Sequence, residues 1–382
     1  MKKNIQELEI KDCFGCLVCA KACPCNIISG KTDDNGFFQP YITQPEKCIH
    51  CGLCAEVCSF HNDGIAQSNN PMASYAGWSR DNGTRKRCSS GGVGYEIAKT
   101  VINEGGRCCS VRYNPDKKIA EHYIANSVSE LDSSIGSKYI QSYTLDGFTE
   151  IDPKKRYIVF GTPCQIDSFR RYVTKINKSS NFILVDFFCH GVPSYLLWWK
   201  YLELQEKDLG KITSAVWRDK RDGWHDSWTI SLKGTSGRLF SKLSDKNLFY
   251  RTFLSDSCLG KACYDNCKFK YKSSSADIRI GDAWGRLYSK DNDGVSVVIC
   301  YTPQGAELLG RSNIQLNGHD FSQVAEYQMK KNAARPFISR AVWKILKSKG
   351  ALNAKMLSCL MSIHEWSLLP GRVFNKLKKV IK

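Results

Sequence analysis

Four cysteines fall in the stretch CFGCLVCAKAC, Cys13 to Cys23, and the same ruler returns in CIHCGLCAEVC, Cys48 to Cys58. Each motif reads C-x2-C-x2-C-x3-C. A cubane 4Fe–4S core needs four thiolates set tetrahedrally around it. Three closely spaced cysteines wrap one side of a cluster, and the fourth reaches across to the other cluster. The spacing therefore assigns Cys13, Cys16, Cys19 and Cys58 to one cluster, and Cys48, Cys51, Cys54 and Cys23 to a second. Zinc sites pair their cysteines with longer gaps, so three at double x2 spacing suit zinc poorly. Pro24 follows the first motif as expected, whereas Ser59 stands where the second motif usually has proline. Gly15 and Gly52 sit where the backbone must turn close to an inorganic core. His50 reads as a loop histidine near a cluster, and Cys25 is an extra thiol without assigned work.

The elements that must carry these thiols form a small N-terminal unit, residues 1–65, which resembles the bacterial two-cluster ferredoxin module over about residues 5–62. GFFQPYI joins its two pseudo-symmetric halves as short strand-like structure, and NDGIAQSNNPM, Asn62 to Met72, reads as a polar linker. Residues 72–320 form the larger unit. ASYAGW is a strand. CSSGGVGYEIAKTVINEGG follows as a loop and helix, with Val93, Ile97 and Val101 on one face. Ser89 and Ser90 stand where an N-cap belongs, and Gly105 and Gly106 where a C-cap belongs. RYIVF-GTPCQ-IDSFRRYV and NFILVDFF-CHGVPS-YLLWWKYL are two strand–loop–helix units, with Cys164 and Cys189 in their loops. Such repeats imply a mainly parallel or mixed sheet, with ligands at the carboxyl ends of its strands. AVWRDKRDGW and SWTISLKG look like antiparallel strands around a basic turn. CLGKACYDNCKFK, with Cys258, Cys263 and Cys267, runs into the strand ADIRIGDAWG. The expected class is thus α+β with α/β: a two-cluster ferredoxin domain, a larger α/β domain and a helical basic extension over 321–382.

The chain has 382 residues, an apolar fraction of 42% and a net charge of +18. No run of 18 uncharged apolar residues occurs, so no spanning helix is expected, and MKKNIQELEIKD does not read as a secretory signal. The 19 cysteines are then read in a reducing cytoplasm, as metal or redox chemistry rather than disulfides. The charge is uneven. Residues 1–62 carry six Lys/Arg against seven Asp/Glu, whereas residues 330–382 carry thirteen against the single acid Glu365. That tail suits an acidic partner protein or an anionic membrane surface, or else is a solvated face. Nucleic acid is not expected as a partner, because no recognised binding motif is present.

SSGG, GSKYIQS, GTPCQI, CHGVPS, RDKRDGW, the late cysteines and ADIRIGDAWG, in this order, resemble the coenzyme F420 hydrogenase/dehydrogenase beta-subunit family over about residues 10–310. The resemblance implies noncovalent FAD and a further 4Fe–4S cluster in the larger domain. By motif, Cys164, Cys189, Cys263 and Cys267 are the ligand set for that cluster. The family's late pair is usually C-x2-C, here C-x3-C, so Cys258 is an alternative for Cys263 or Cys267. The same carry-over makes Ser90, Gly91 and Gly92 candidates for the flavin pyrophosphate, with Lys138, Gln141, Thr162 and Gln165 around the flavin. A flavin beside a cluster can collect single electrons and deliver a pair. His190 is the expected proton donor and Asp282 the second choice. Arg218, Lys220 and Arg221 are candidates for an anionic substrate or a solvated turn. The family includes archaeal deazaflavin reductases, a plant chlorophyll-side-chain reductase and bacterial proteins beside surface-polysaccharide genes.

Two functions follow as expectations. The first is a flavin and iron–sulfur oxidoreductase, taking electrons from ferredoxin or another small donor to reduce an unidentified substrate. The second is an electron-transfer subunit whose catalysis belongs to a partner chain. Nothing resembles a nickel or molybdenum site. No cofactor motif lies beyond Arg372, so a chain truncated there is expected to keep its full iron content, as measured by iron analysis of the purified protein.

Overall fold

A computed structural model describes residues 2–369. Its fourteen strands make three sheets. β1 (Ile28–Thr32) and β2 (Phe38–Ile42) form an antiparallel pair inside the N-terminal module. The large sheet contains β3 (Ala73–Ser79), β4 (Arg107–Asn114), β5 (Ile119–Ala125), β6 (Ser142–Tyr143), β7 (Tyr157–Phe160) and β8 (Phe182–Phe187). β9 (Ile212–Val216), β10 (Thr229–Gly234) and β11 (Arg238–Lys242) form a separate antiparallel sheet. β12 (Ile278–Asp282), β13 (Ser296–Cys300) and β14 (Ile314–Gly318) complete the large sheet, whose order is β14-β3-β13-β12-β8-β7-β4-β5-β6. Its centre, β4-β7-β8-β12, is parallel, and β13, β3 and β14 add antiparallel strands on one side. The sheet is therefore mixed.

The central strands are buried on both faces, which is why YIVF and FILVD are near-continuous apolar runs. Each feeds a well-capped helix. Thr162 and Gln165 form a capping box with Pro163 in the first turn of helix Pro163–Lys175. Ser194 accepts from the Leu196 amide at the head of helix Tyr195–Leu209. Ile166, Phe169 and Val173, and likewise Tyr195, Trp198 and Leu202, are fully buried, as the helical period predicts; Trp199 is only half-buried.

Two local expectations are corrected. Gly92, not Ser89 or Ser90, is the N-cap of helix Val93–Asn103. Ser90 Oγ instead donates to the Val295 carbonyl. Gly91 is pressed so close to β3 that a Cβ would lie 2.4 Å from the Gly77 oxygen. The supposed linker is docked: it holds a short helix, Ile65–Ser68, and Asn69 Nδ2 donates to the carbonyls of Ser274 and Ala276.

The N-terminal module has a small core of its own around Ile5, Ile27 and Ile28, and it also enters the cores of the larger unit. Val18, Ala22 and Val57 pack with Phe148, Ile166 and Phe169, and Phe38 packs with Ile140 and Tyr195. Beyond 320 the described chain is helical, with helices Phe321–Val324, Ser339–Lys347 and Ala354–Ser367. Val342, Ile345 and Leu346 bury one face of the middle helix. Glu365, the tail's single acid, pairs with the buried Arg251 at 2.7 Å. The amphipathic end GRVFNKLKKVIK lies outside the described residues.

The deepest polar contact joins β8 to β12. Asp186 and Arg279 are register partners, and both side chains are wholly buried. Arg279 Nε and Nη2 each donate to Asp186 at 2.7 Å, and Ser274 Oγ donates to the same carboxylate. Arg279 Nη1 donates to the carbonyls of Phe269 and Tyr271. Arg279→Met should cost about 3–5 kcal/mol, because it strands a buried carboxylate. The double change with Asp186→Leu should recover much of that loss in urea denaturation.

Candidate iron–sulfur site

The two ferredoxin-type motifs close around two small cavities. Cys13, Cys16, Cys19 and Cys58 line one, and Cys23, Cys48, Cys51 and Cys54 line the other, with Cys25 also in the second wall. The eight thiols are thus divided four to each cavity, with Cys58 beside the first motif's cysteines and Cys23 beside the second's. Short helices Val18–Ala22 and Leu53–Glu56 begin after left-handed residues Leu17 and Gly52 and swing the third cysteine of each motif inward. Gly15 is required by space as well as by φ, since a Cβ there would sit 2.0 Å from the Phe38 oxygen. Among the described residues no three His, Cys, Asp or Glu side chains close on a point where one metal ion could sit; each set rings a cavity instead.

The donor chemistry fits a cluster. Burial raises the Cys16 thiol to about 11, with the neighbouring Cys58 adding to the rise, and it raises Cys13 and Cys19 further. Lys268 and Arg171 oppose the rise at Cys58, and bound iron is the charge that would stabilise the other thiolates there.

A third set of thiols lines a much larger cavity, of about 750 Å³. Cys164 comes from the first turn of helix Pro163–Lys175, and Cys189 from the loop after β8. Cys263 comes from helix Lys261–Asp265, and Cys267 from the loop that follows. All four face the cavity. Burial pushes the Cys263 thiol up to about 12, and Cys189 and Cys267 add to it. At Cys189 burial also raises the thiol, while Lys270 opposes the rise. Cys258 does not line this cavity. It is buried in the apolar core, and its carbonyl accepts from the Ser194 amide.

The loop Cys267–Lys270 ties this cavity to the module. Lys268 Nζ donates to the carbonyls of Ser59, Phe60 and Asn62 and pairs with Asp63 at 2.6 Å. Lys270 Nζ donates to the carbonyls of Cys189 and His190. Phe14 stands between Phe60 and Phe269, with ring centroids 5.4 and 5.7 Å away. Ser59, where proline is usual, explains itself here. Its amide donates to Ser168 Oγ, and its hydroxyl donates to the Cys164 carbonyl at 3.0 Å. Ser168 Oγ donates to Ser59 Oγ at 2.8 Å and lies 3.3 Å from Cys16 Sγ. Proline could supply neither donor.

The remaining predicted residues divide. Gln141, Thr162 and Gln165 line the large cavity; Ser90, Gly91, Gly92 and Lys138 do not. Gly91 N–H donates to Ser296 Oγ, and Lys138 Nζ donates to the carbonyls of Ser134 and Ile135. Burial lowers Lys138 to about 7. These seven residues make no single cradle for FAD, so they do not fit it as a set. His190 turns away from the cavity to Asp256, 2.5 Å from Nε2, and packs on Phe253. Asp282 is held by Arg218 at 2.9 Å and by the Trp224 indole N–H. Arg218 is buried against the Trp228 and Trp284 rings, and Lys220 Nζ donates to three backbone carbonyls. Arg221 pairs with Asp219 at the surface. None of these is placed to protonate or hold a molecule at the thiols. Sequence reasoning missed the cavity's basic rim, Lys261, Lys270, Arg335, Arg340, Lys344 and Lys347. Its only trace was the charge run after 330.

Comparison with known proteins finds two family matches. Residues 12–62 match the 4Fe–4S dicluster domain, and residues 154–319 match the C terminus of the coenzyme F420 hydrogenase/dehydrogenase beta subunit. No curated protein matches the chain. A solved chain of the F420-reducing NiFe hydrogenase complex from Methanosarcina barkeri, studied as a xenon derivative, is similar at 15% identity and a TM-score of 0.47. The similarity covers 80% of this chain and 94% of that one. Among the described residues no helix is long and apolar enough to cross a membrane. The chain is thus similar to a 4Fe–4S dicluster domain over residues 12–62 and to the C terminus of the F420 hydrogenase/dehydrogenase beta subunit over residues 154–319.

Proposed function

We propose that the chain is an iron–sulfur electron-transfer subunit that relays single electrons between a small donor and a catalytic partner chain. The observation that carries this reading is the hydrogen bond from Ser59 to the Cys164 carbonyl, which joins the segment of Cys58 to the segment of Cys164. Three thiol sets then follow one another through the molecule: Cys23, Cys48, Cys51 and Cys54; Cys13, Cys16, Cys19 and Cys58; Cys164, Cys189, Cys263 and Cys267. Clusters bound there supply one-electron chemistry, at potentials tuned by burial and hydrogen bonds. The chain's own residues keep the spacing. Ser168 and Lys268 clamp the Cys58 loop, and Phe14, Phe60 and Phe269 fill the gap with ring packing. The two family matches support this subunit reading over the flavin-dependent reductase that the sequence put first. The scattered FAD contact set supports it too.

Anaerobic purification with iron and flavin analysis tests the proposal. About twelve irons per chain are expected, against about eight if only the ferredoxin-type module is loaded. Cys189→Ser should remove about four irons and leave the two module clusters visible by electron paramagnetic resonance. Cys258→Ser should leave iron unchanged. FAD released stoichiometrically on acid precipitation would return the reductase to first place. Ser59→Ala should lower stability by about 1–3 kcal/mol, because buried partners lose a donor and an acceptor. It should also slow electron passage between the module and the third set in single-turnover kinetics, with iron content intact.

A further inference from the structure

The open side of the large cavity is built by residues from far along the chain. Helix Ser339–Lys347 turns Arg340, Trp343, Lys344 and Lys347 to the cavity, at i, i+3, i+4 and i+7. Its other face is buried through Val342, Ile345 and Leu346. Arg335 and Lys261 share Asp265, whereas among the described residues no carboxylate pairs with Arg340, Lys344 or Lys347. Asp12 and Asp33 are the acids that line the same cavity. Lys347 Nζ lies 5.8 Å from the centre of the Trp343 ring. Phe337, in the segment leading into the helix between Arg335 and Arg340, is 68% exposed.

We infer that this rim, Arg335, Phe337, Arg340, Lys344 and Lys347, is the docking surface for a small acidic electron-carrier protein. It would exchange electrons with the Cys164, Cys189, Cys263 and Cys267 set behind it, so the inference rests on the relay proposed above. Three features favour this occupant. The unpaired cations lie on the helix face that borders the opening to the thiols, which is where charge complementarity steers an acidic partner. An exposed aromatic flanked by arginines has the composition of an interface anchor. Phe337 does not line the cavity, so it offers its ring to something broader than an enclosed small molecule. The helix also lies outside both matched segments, 12–62 and 154–319, so this surface belongs to the chain's own extension. The exchange is balanced by one electron. The carrier's iron–sulfur centre is oxidised as the receiving cluster is reduced, with no bond made or broken.

The test uses the cluster-loaded full chain and a dithionite-reduced, acidic two-cluster bacterial ferredoxin as the probe. Stopped-flow reduction should slow about tenfold or more between low and high ionic strength. The triple variant Arg340→Glu, Lys344→Glu and Lys347→Glu should lose about tenfold in rate at low salt and lose the salt dependence, with unchanged iron content. Phe337→Ala should weaken the complex without changing its salt dependence. Carbodiimide coupling should join Lys344 or Lys347 to carboxylates of the probe. That coupling needs no cluster, so it separates failure of the surface from failure of the relay. A rate indifferent to salt and to the charge reversal, with no cross-link on this helix, would overturn the inference. So would inhibition by inorganic pyrophosphate that the triple variant escapes while its reduction by the probe is normal; the rim would then serve a small anion.

Discussion

A guanidinium wholly buried between two parallel strands holds the thiol-bearing end of the sheet together. Taking Arg279 and Asp186 out of water is costly, and the pair is tolerable only because nearly every donor finds an acceptor. The acceptors are what matter for the site. Asp186 lies three residues before Cys189, and the Phe269 and Tyr271 carbonyls lie just after Cys267. One side chain thereby holds the end of β8 and the late cysteine loop in a single arrangement. The Phe188 ring, 5.4 Å away, covers the same guanidinium. An apolar pair could fill this volume, but it could not satisfy the two loop carbonyls.

The same economy joins the ferredoxin-type module to the larger unit. A cluster on a flexible tether would meet its acceptor only by diffusion. Here Lys268 spends its ammonium on three carbonyls of the Cys58 loop, and Ser59 and Ser168 share a buried hydrogen-bond knot with Cys164. Apolar packing supports the join, since Val18, Ala22 and Val57 belong to the core that holds helix Pro163–Lys175. The segment 62–72 lies docked rather than free. Its polar residues serve as hydrogen-bonding groups against Ser274 and Ala276.

Electrostatics gives the two ends of the molecule different characters. The module is nearly balanced in charge, with its thiols sunk in apolar pockets, and so is insulated. The large cavity is lined by thiols and by cations, of which Arg340, Lys344 and Lys347 have no carboxylate partner among the described residues. Thiolates in that cavity would carry negative charge, and cations at its rim would lower the cost of holding it. The tail's lone acid is turned away from this face, where it closes the helix packing through Arg251.

Much of this protein was legible in the residues alone. Short-range rules decide the ferredoxin-type motifs: three thiols two residues apart wrap one side of a cluster whatever surrounds them, and the crossing of Cys23 and Cys58 follows from that spacing. The strand–loop–helix units at Cys164 and Cys189 were readable for the same reason, since apolar runs, Gly/Pro turns and a capping box act locally. What the sequence left open was the choice among distant residues. Cys258 and Cys263 are five positions apart and chemically alike; only packing buries the first in the core and turns the second to the cavity. His190 looked well placed in its motif, but Asp256, sixty-six residues away, captures its ring. In the SSGG loop, Ser296 takes the Gly91 N–H and Val295 takes the Ser90 hydroxyl, partners more than two hundred positions away. The basic tail was a charge run with no address until the apolar face of helix Ser339–Lys347 found its place in the core. Each of these is a competition for one partner between groups far apart in the chain, and only the folded contacts decide which group wins.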